Sequence, residues 1–252
     1  MGKLHETLFV EVPPRRSLTR YVDTLWYSQA KAPHTLHILP TTRSTLMSCN
    51  TPYGKGVVLV GPISSAQSVS MDVGDIKVGA WLKPGARYLF QRYEPHELRN
   101  KVVVGRDMTM DISKELEECI NNNHNVQQNL ESLEDFIEEM IRRNLIKRHK
   151  MVDHFIDNER STHSRSVLSA IQDLPVSYRQ FSRLIKHYTG FTAKDFLQLQ
   201  RLRAATQTID NSKQSLAIIA AEHQYADHAH LAREFKLKIG ISPSGFDSYQ
   251  SL

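Results

Sequence analysis

"LAREFKLKIGISPSGF", residues 231–246, repeats a device the chain has already used in "FSRLIKHYTGFTAKDF", residues 181–196. Laid over one another, the stretches pair Arg183 with Arg233, Lys186 with Lys236, Gly190 with Gly240, Thr192 with Ser242 and Phe196 with Phe246. Every pair is fifty positions apart. In the first copy Phe181, Leu184, Ile185 and Tyr188 recur at helical spacing, and in the second Leu231 and Phe235 do, so each stretch predicts a helix with one apolar face. Each helix has a start signal and a stop. Ser177 and Gln180 make the S-x-x-Q of a capping box, Asp227 is an N-cap, and Gly190 and Gly240 suit a left-handed C-terminal cap. A new cap follows at once, Thr192 with Asp195 in one copy and Ser242 with Pro243 in the other.

Upstream of each helix a shorter helical segment and a tight turn complete the unit, in "SRSVLSAIQDLPVSYRQ" and in "SLAIIAAEHQYADH". Between the copies "KDFLQLQRLRAATQTI", residues 194–209, reads as one continuous helix that holds them at a fixed separation. The solvent face of the first long helix carries Arg179, Ser182, Arg183 and Lys186, and that of the second His228, Ala229, Ala232 and Arg233. Helix, turn, helix with a polar or basic second helix is the geometry that places a helix in the DNA major groove. A pair of helical hairpins also serves as scaffold. Duplication favours the first reading, because two rigidly linked copies reach successive grooves about 34 Å apart without a dimer.

Formal net charge is +5, but the basicity is local. From 179 to 203 the charged residues are Arg179, Arg183, Lys186, Lys194, Arg201 and Arg203 against Asp195 alone. Over 151–252 there are 12 Lys and Arg against 10 Asp and Glu, a surplus of two. A patch of this kind attracts phosphate backbones, although a solvated helix face accounts for it as well.

These residues carry a resemblance. The segment from about Arg165 to Tyr249 resembles the DNA-binding domain of the AraC family of bacterial transcription regulators, two helix-turn-helix units joined by a long helix. The matching stretches are "SRLIKHYTGFTAKDF" and "REFKLKIGISPSGF", the latter following an R-x-F-K-x-x-x-G-x-S-P-x-x-F/Y ending. The resemblance implies base contacts from Arg179, Ser182, Arg183, His228, Ala229, Ala232 and Arg233, with Lys186 and Lys236 nearer phosphates. Arg183 and Arg233 have a second reading, as braces that hold their own helices by salt bridges. Two alanines donate no hydrogen bond and at most pack on a thymine methyl, so the first unit is expected to read most of the sequence. Two positions depart from the family pattern: Gln224 and Tyr225 stand where Gly-Phe is usual, and Ala204 where a further Arg is favoured. The second unit is therefore expected to hold DNA less tightly.

The overall expectation is an α+β chain with a β-rich domain over 1–110, a helical connector over 111–157 and the tandem helix-turn-helix domain over 158–252. Residues before about 110 hold most of the Gly and Pro and short runs such as "GVVLVG" and "IKVGAWL". This part also resembles a small domain found ahead of such units, in "RSLTRYVDTLWY", "LVGPISSA", "VGAWLKPGARYLF" and "PHELRNKVVVGRDM". The resemblance implies a domain that senses a small-molecule effector or mediates homodimerisation, with RNA polymerase as a partner if the protein activates. In the connector, Leu133, Phe136, Ile137, Met140 and Ile141 form an apolar stripe that suits either a dimer seam or packing on the β-rich domain. The linker is expected at 158–164, "NERSTHS".

Other classes find little support. No apolar run has the roughly 18 residues of a membrane span, and the start has no secretory h-region, so a cytoplasmic protein is expected. Cys49 and Cys119 suggest buried thiols rather than a disulfide or zinc site. His223, His228 and His230 do not share one helical face as i, i+4 metal ligands do, and no metal or cofactor is expected. No nucleophile elbow, P-loop or G-x-G-x-x-G appears, and His34, His37 and Cys49 are the only cluster suggestive of catalysis, so no enzyme activity is expected. Trp26, Tyr27, Trp81, Tyr88 and Phe90 are read as core aromatics, while Lys83, Arg87 and Arg92 permit an acidic effector. The alternative to a DNA-binding regulator is an adaptor whose helical units bind another protein.

Overall fold

Strand β2 (Val22–Ala30) shows how the first domain is built, because its side chains alternate between two interiors. Leu25 and Tyr27 point to one face, while Thr24, Trp26 and Ser28 point to the other. The computed structural model describes residues 6–51, 54–86, 93–105, 114–117, 125–144, 150–157, 166–172 and 174–248. Strand β2 joins β1 (Thr7–Val12), β4 (Ser44–Thr51), β5 (Gly54–Val60), β7 (Ile76–Leu82) and β8 (Val102–Val104) in an antiparallel sheet of order β1-β2-β7-β4-β5-β8. Strands β3 (His34–Ile38) and β6 (Gln67–Met71) form a separate antiparallel pair. One short helix, α1 (Pro95–Leu98), precedes β8.

One face of the large sheet carries Leu25, Tyr27, Leu46, Leu59, Val78, Ala80 and Leu82 and is covered by α2 (Val126–Asn144). The stripe on α2 is spent on this contact: Leu133, Phe136, Ile137 and Met140 are all buried against the sheet. Of the two readings of that helix, packing on its own domain is the one realised. Outside the stripe, Arg15 pairs with Glu134, Asp135 and Glu138 and straps the segment after β1 across α2.

The helical half runs α3 (Lys150–Asp157), α4 (Val167–Ala170), α5 (Tyr178–Thr189), α6 (Ala193–Asn211), α7 (Leu216–Glu222), α8 (His228–Ile239) and a 3-10 turn at Pro243–Ser248. This is the α+β organisation expected from the sequence. Two cores lie along α6, which is buried on most sides. Phe155, Phe181, Ile185, Phe191 and Phe196 fill the first, with the Phe155 and Phe181 rings edge to face at 4.6 Å. Leu202, Ala205, Ile209, Leu231, Phe235 and Phe246 fill the second, where Phe235 meets Phe246 at 5.4 Å. Val152 and Phe155 bring α3 into the first core, so that core begins upstream of residue 158. The expected linker at 158–164, together with Cys119, Arg87, Tyr88, Phe90 and Arg92, lies outside the described residues. Among the described residues, no helix is long and apolar enough to cross a membrane.

Candidate nucleic-acid interface and the cavity beside it

The local signals form as spaced. Ser177 Oγ accepts from the Gln180 backbone N–H while Gln180 Oε1 accepts from the Ser177 N–H, closing the capping box that starts α5. Asp227 accepts from the His230 N–H at 2.6 Å to start α8, and this bond is the main reason its carboxyl titrates below the usual range. Gly190 and Gly240 end α5 and α8 at φ 78° and 94°, where a Cβ is disfavoured. Gln224 takes the left-handed conformation too, at φ 57°, so the turn ahead of α8 keeps its course without the glycine. An L-residue held there carries about 1 to 2 kcal/mol of strain.

On α5, Arg179, Arg183 and Lys186 are exposed. Neither Arg183 nor Arg179 makes a side-chain hydrogen bond or ion pair among the described residues, so the bracing role for Arg183 is not the one seen. Ser182 differs from expectation. It is half-buried, and its hydroxyl is shielded and has no partner among the described residues. On α8, His228, Arg233 and Lys236 are exposed, while Ala229 and Ala232 are half-buried. Among the described residues, Arg233 lies in the field of Asp227. The basic run of the sequence also divides. Arg201 turns from solvent to stack over the Tyr225 ring at 4.9 Å, and Arg203 faces the β domain, where burial lowers its pKa against the opposing pull of Asp23 and Glu11. Arg179, Arg183, Lys186 and Lys194 remain as the exposed cations of that run.

Beneath α8 the second unit is more polar than its pattern suggested. The Glu234 carboxyl is pushed up by burial, with Arg201, His230 and Lys238 opposing, and Tyr225 is also raised by burial. The three histidines are dispersed: His223 Nε2 bonds Thr208 Oγ1 at 2.8 Å, His230 packs against Tyr225, and His228 is exposed. Among the described residues no group of three or more His, Cys, Asp or Glu side chains is arranged to hold a metal ion. His34 and His37 bond Thr7 and Ser68 within the strands, and burial raises the Cys49 thiol, so these three do not form a reactive cluster.

The β domain touches both units. Glu94 lies 4.0 Å from His187 of α5, and the Arg99 guanidinium sits 4.8 Å from the Phe191 ring centroid. Toward the second unit, the Ala66 N–H donates to the Lys238 carbonyl at 2.7 Å, and the Thr42 hydroxyl donates to Gln200 Oε1 at 3.3 Å.

Between the sheet face that α2 leaves uncovered, the β3–β6 pair, helix α6 and the end of the second unit lies a cavity of about 570 Å³. Trp26 and Trp81 line it, 6.4 Å apart, and with them Met47, Leu36, Leu202 and Phe246. Gly79 makes the tryptophan wall possible, since a Cβ there would lie 2.4 Å from Trp26 Cζ2. Arg43 stacks on Trp81 and pairs with Asp23, while Glu11, Lys77 and Arg203 add charge. Trp26 and Trp81 were legible as aromatic resources but not as a cavity wall, because the wall exists only through the β2–β7–β4 register. Lys83 does not line this cavity but a much smaller one of about 20 Å³.

Comparison with known proteins agrees with this division. Residues 171–248 match a family described as a helix-turn-helix domain, and residues 10–104 match a domain of unknown function. No curated protein matches the chain in sequence. Similar solved structures include an apo variant of ToxT from Vibrio cholerae, 11% identical over 99% of this chain and 100% of that chain, TM-score 0.47. Wild-type ToxT from Vibrio cholerae with an unsaturated fatty acid bound is 12% identical over 97% of this chain and 95% of that chain, TM-score 0.43. Residues 171–248 are thus an AraC-type helix-turn-helix domain, carried behind an N-terminal domain of a family whose function is not assigned.

Proposed function

We propose that the chain is a sequence-specific transcription regulator that sets α5 and α8 into successive major grooves on one face of a DNA duplex, under control of a small molecule held in the cavity. The observation that carries this reading is the set of exposed cations on α5, Arg179, Arg183 and Lys186, within a duplicated and fully capped helix-turn-helix frame. Arg179 and Arg183 take the base-reading role, because a guanidinium grips O6 and N7 of guanine with two hydrogen bonds. Lys186 and Lys236 take phosphates. From α8, His228 and Arg233 reach base edges while Ala229 and Ala232 offer at most a methyl contact. Ser182, with its hydroxyl turned inward, contributes packing to α5 and no donor.

The control arm rests on where the cavity lies: its walls are the sheet, the helix that joins the two units and the end of the second unit. An occupant touches all three. Selection of bound sequences from a random duplex pool tests the reading, with the winner followed against salt. Two preferred blocks about one helical turn apart are expected, with affinity falling by about 0.9 log unit per log unit of salt for each phosphate neutralised. No enrichment, with or without added small molecules, would favour the protein-binding adaptor.

A further inference from the structure

The carbonyl one residue before the end of each recognition helix meets the β domain. In α5 it belongs to Tyr188 and in α8 to Lys238, fifty positions apart. Carbonyls in the last turn of a helix have no partner within that helix. The Ala66 N–H, just ahead of β6, donates to the Lys238 oxygen at 2.7 Å. Gly85, on the segment after β7, stands over the Tyr188 oxygen, where a Cβ would lie 4.0 Å away. Its φ of 82° is a conformation that glycine takes without strain. One body thus touches the same turn of both repeats with its main chain.

Each grip is reinforced. At α5, helix α1 packs alongside, and the Arg99 guanidinium stacks on Phe191 just past the helix end. At α8, Leu39 and Ala66 pack on the second core. Between the two, Thr42 holds Gln200 of α6 at 3.3 Å. These contacts matter because the cores of the two units are separate, one along each part of α6. That helix has 19 residues, a rod of about 28 Å, and helices of such length bend. The grips also sit at the C-terminal turns of α5 and α8. Arg179 and His228, at the opposite ends, stay exposed.

We propose that the β domain is the gauge that fixes the separation and rotation of the two recognition helices, and that Ala66 and Arg99 thereby determine which half-site spacing the chain accepts. The purpose of the gauge rests on the DNA-binding reading. One base pair more or less between the blocks moves the second by about 3.4 Å and turns it by about 35° around the duplex. A free α6 would absorb part of that change by bending. With both helix ends and the middle of α6 held on one domain, the change has to break the Ala66–Lys238 bond or the Arg99–Phe191 stack.

Two measurements on the full chain test this. Spin labels at Tyr178→Cys and Ala226→Cys, with Cys49→Ser and Cys119→Ser, report the distance between the starts of α5 and α8 without DNA. A single narrow distribution is expected, broadened by Ala66→Pro, which removes the N–H, and by Arg99→Ala, which removes the stack. On the selected duplex with spacers one and two base pairs longer and shorter, the parent should prefer one spacing by about tenfold, the worth of roughly one hydrogen bond. Both variants should flatten that preference while binding a duplex with the first block alone as the parent does. Arg99→Ala alone decides the matter if Ala66→Pro does not fold. A broad distribution in the parent, variants as narrow as the parent, or variants that keep its spacing preference would each overturn the gauge. No binding to any duplex, with a narrow distribution that the variants still broaden, would overturn the DNA reading and the spacing role with it, and leave the brace standing.

Discussion

The two helix-turn-helix units share a frame and differ in what they hang on it. Fifty positions apart, Phe181 and Ile185 of α5 correspond to Leu231 and Phe235 of α8, so the large and small core residues have exchanged places while all four remain fully buried. The caps, the glycines and the apolar layers are common to both. Elsewhere the units part. Arg179 and Ser182 of the first correspond to Ala229 and Ala232 of the second, and Leu184 to Glu234. The first unit presents cations to solvent. The second carries a polar interior of Glu234, Arg201 and Tyr225 and supplies Ile239 and Phe246 to the cavity. A duplicated fold persists as long as packing volume and caps persist, and this leaves the other positions free to specialise. On the function proposed above, the first unit reads and the second reports.

The largest expected effects probe the shared frame. Phe181→Ala and Phe235→Ala should each cost about 3 to 5 kcal/mol, the usual penalty for truncating a buried ring, measured by denaturant unfolding. Hydrogen exchange should show each loss centred on its own unit. A loss spread equally over both units in either variant would mean that the two cores behave as one and that the comparison has no energetic basis.

Next come the DNA contacts. Arg183→Ala should weaken a selected site by about 1 to 3 kcal/mol and random duplex by clearly less, as a base contact does. Lys236→Ala should weaken both to a similar degree and lower the salt slope by about 0.9, as a phosphate contact does. Sequence-dependent losses of equal size at the two positions would break the division into reader and reporter.

Smaller effects sharpen it. Gln224→Gly should stabilise the chain by about 1 kcal/mol, seen as a rise of a few degrees in melting temperature, because glycine occupies the left-handed region without the steric cost. No gain would show that the Gln224 side chain compensates for its backbone. Glu234→Gln tests the polar interior. Burial raises the Glu234 carboxyl, so the folded chain holds that proton more tightly than the unfolded chain does. Its contribution to stability is therefore greatest below the ordinary glutamate range, falls as pH rises from there to the raised folded value, and is level above it. The Gln variant should be more stable than the parent at pH 7, with the difference shrinking by pH 4. A difference independent of pH would mean that burial does not raise the Glu234 carboxyl.

Much of the DNA-binding half was legible because its signals are local. A capping box, a left-handed glycine and an apolar period each involve residues within one or two turns, and all formed where the spacing put them. Gln224 was legible as a departure, but not its outcome, since the strain it bears depends on how firmly the flanking helices hold the turn. Ser182 was misplaced because a period assigns a helix face only to within about one residue's rotation, and the packing of α5 decides which flank closes. Arg201 and Arg203 were counted with the basic patch for a related reason. Helix α6 is buried on most sides, so its period cannot say which body each arginine meets.

The sequence by itself determined two capped helical units at a fixed separation, a β-rich domain ahead of them and the residue types on each recognition helix. Only the tertiary structure decided that the α2 stripe covers its own sheet, that Arg203 leaves the exposed basic run for the β domain, and that Ser28, Lys77, Trp26 and Trp81 share a cavity with Leu202 and Phe246. The physical reason is range. Helix signals are written in neighbours along the chain, whereas a cavity wall depends on strand register and domain contact between residues nearly two hundred positions apart, which no local period encodes.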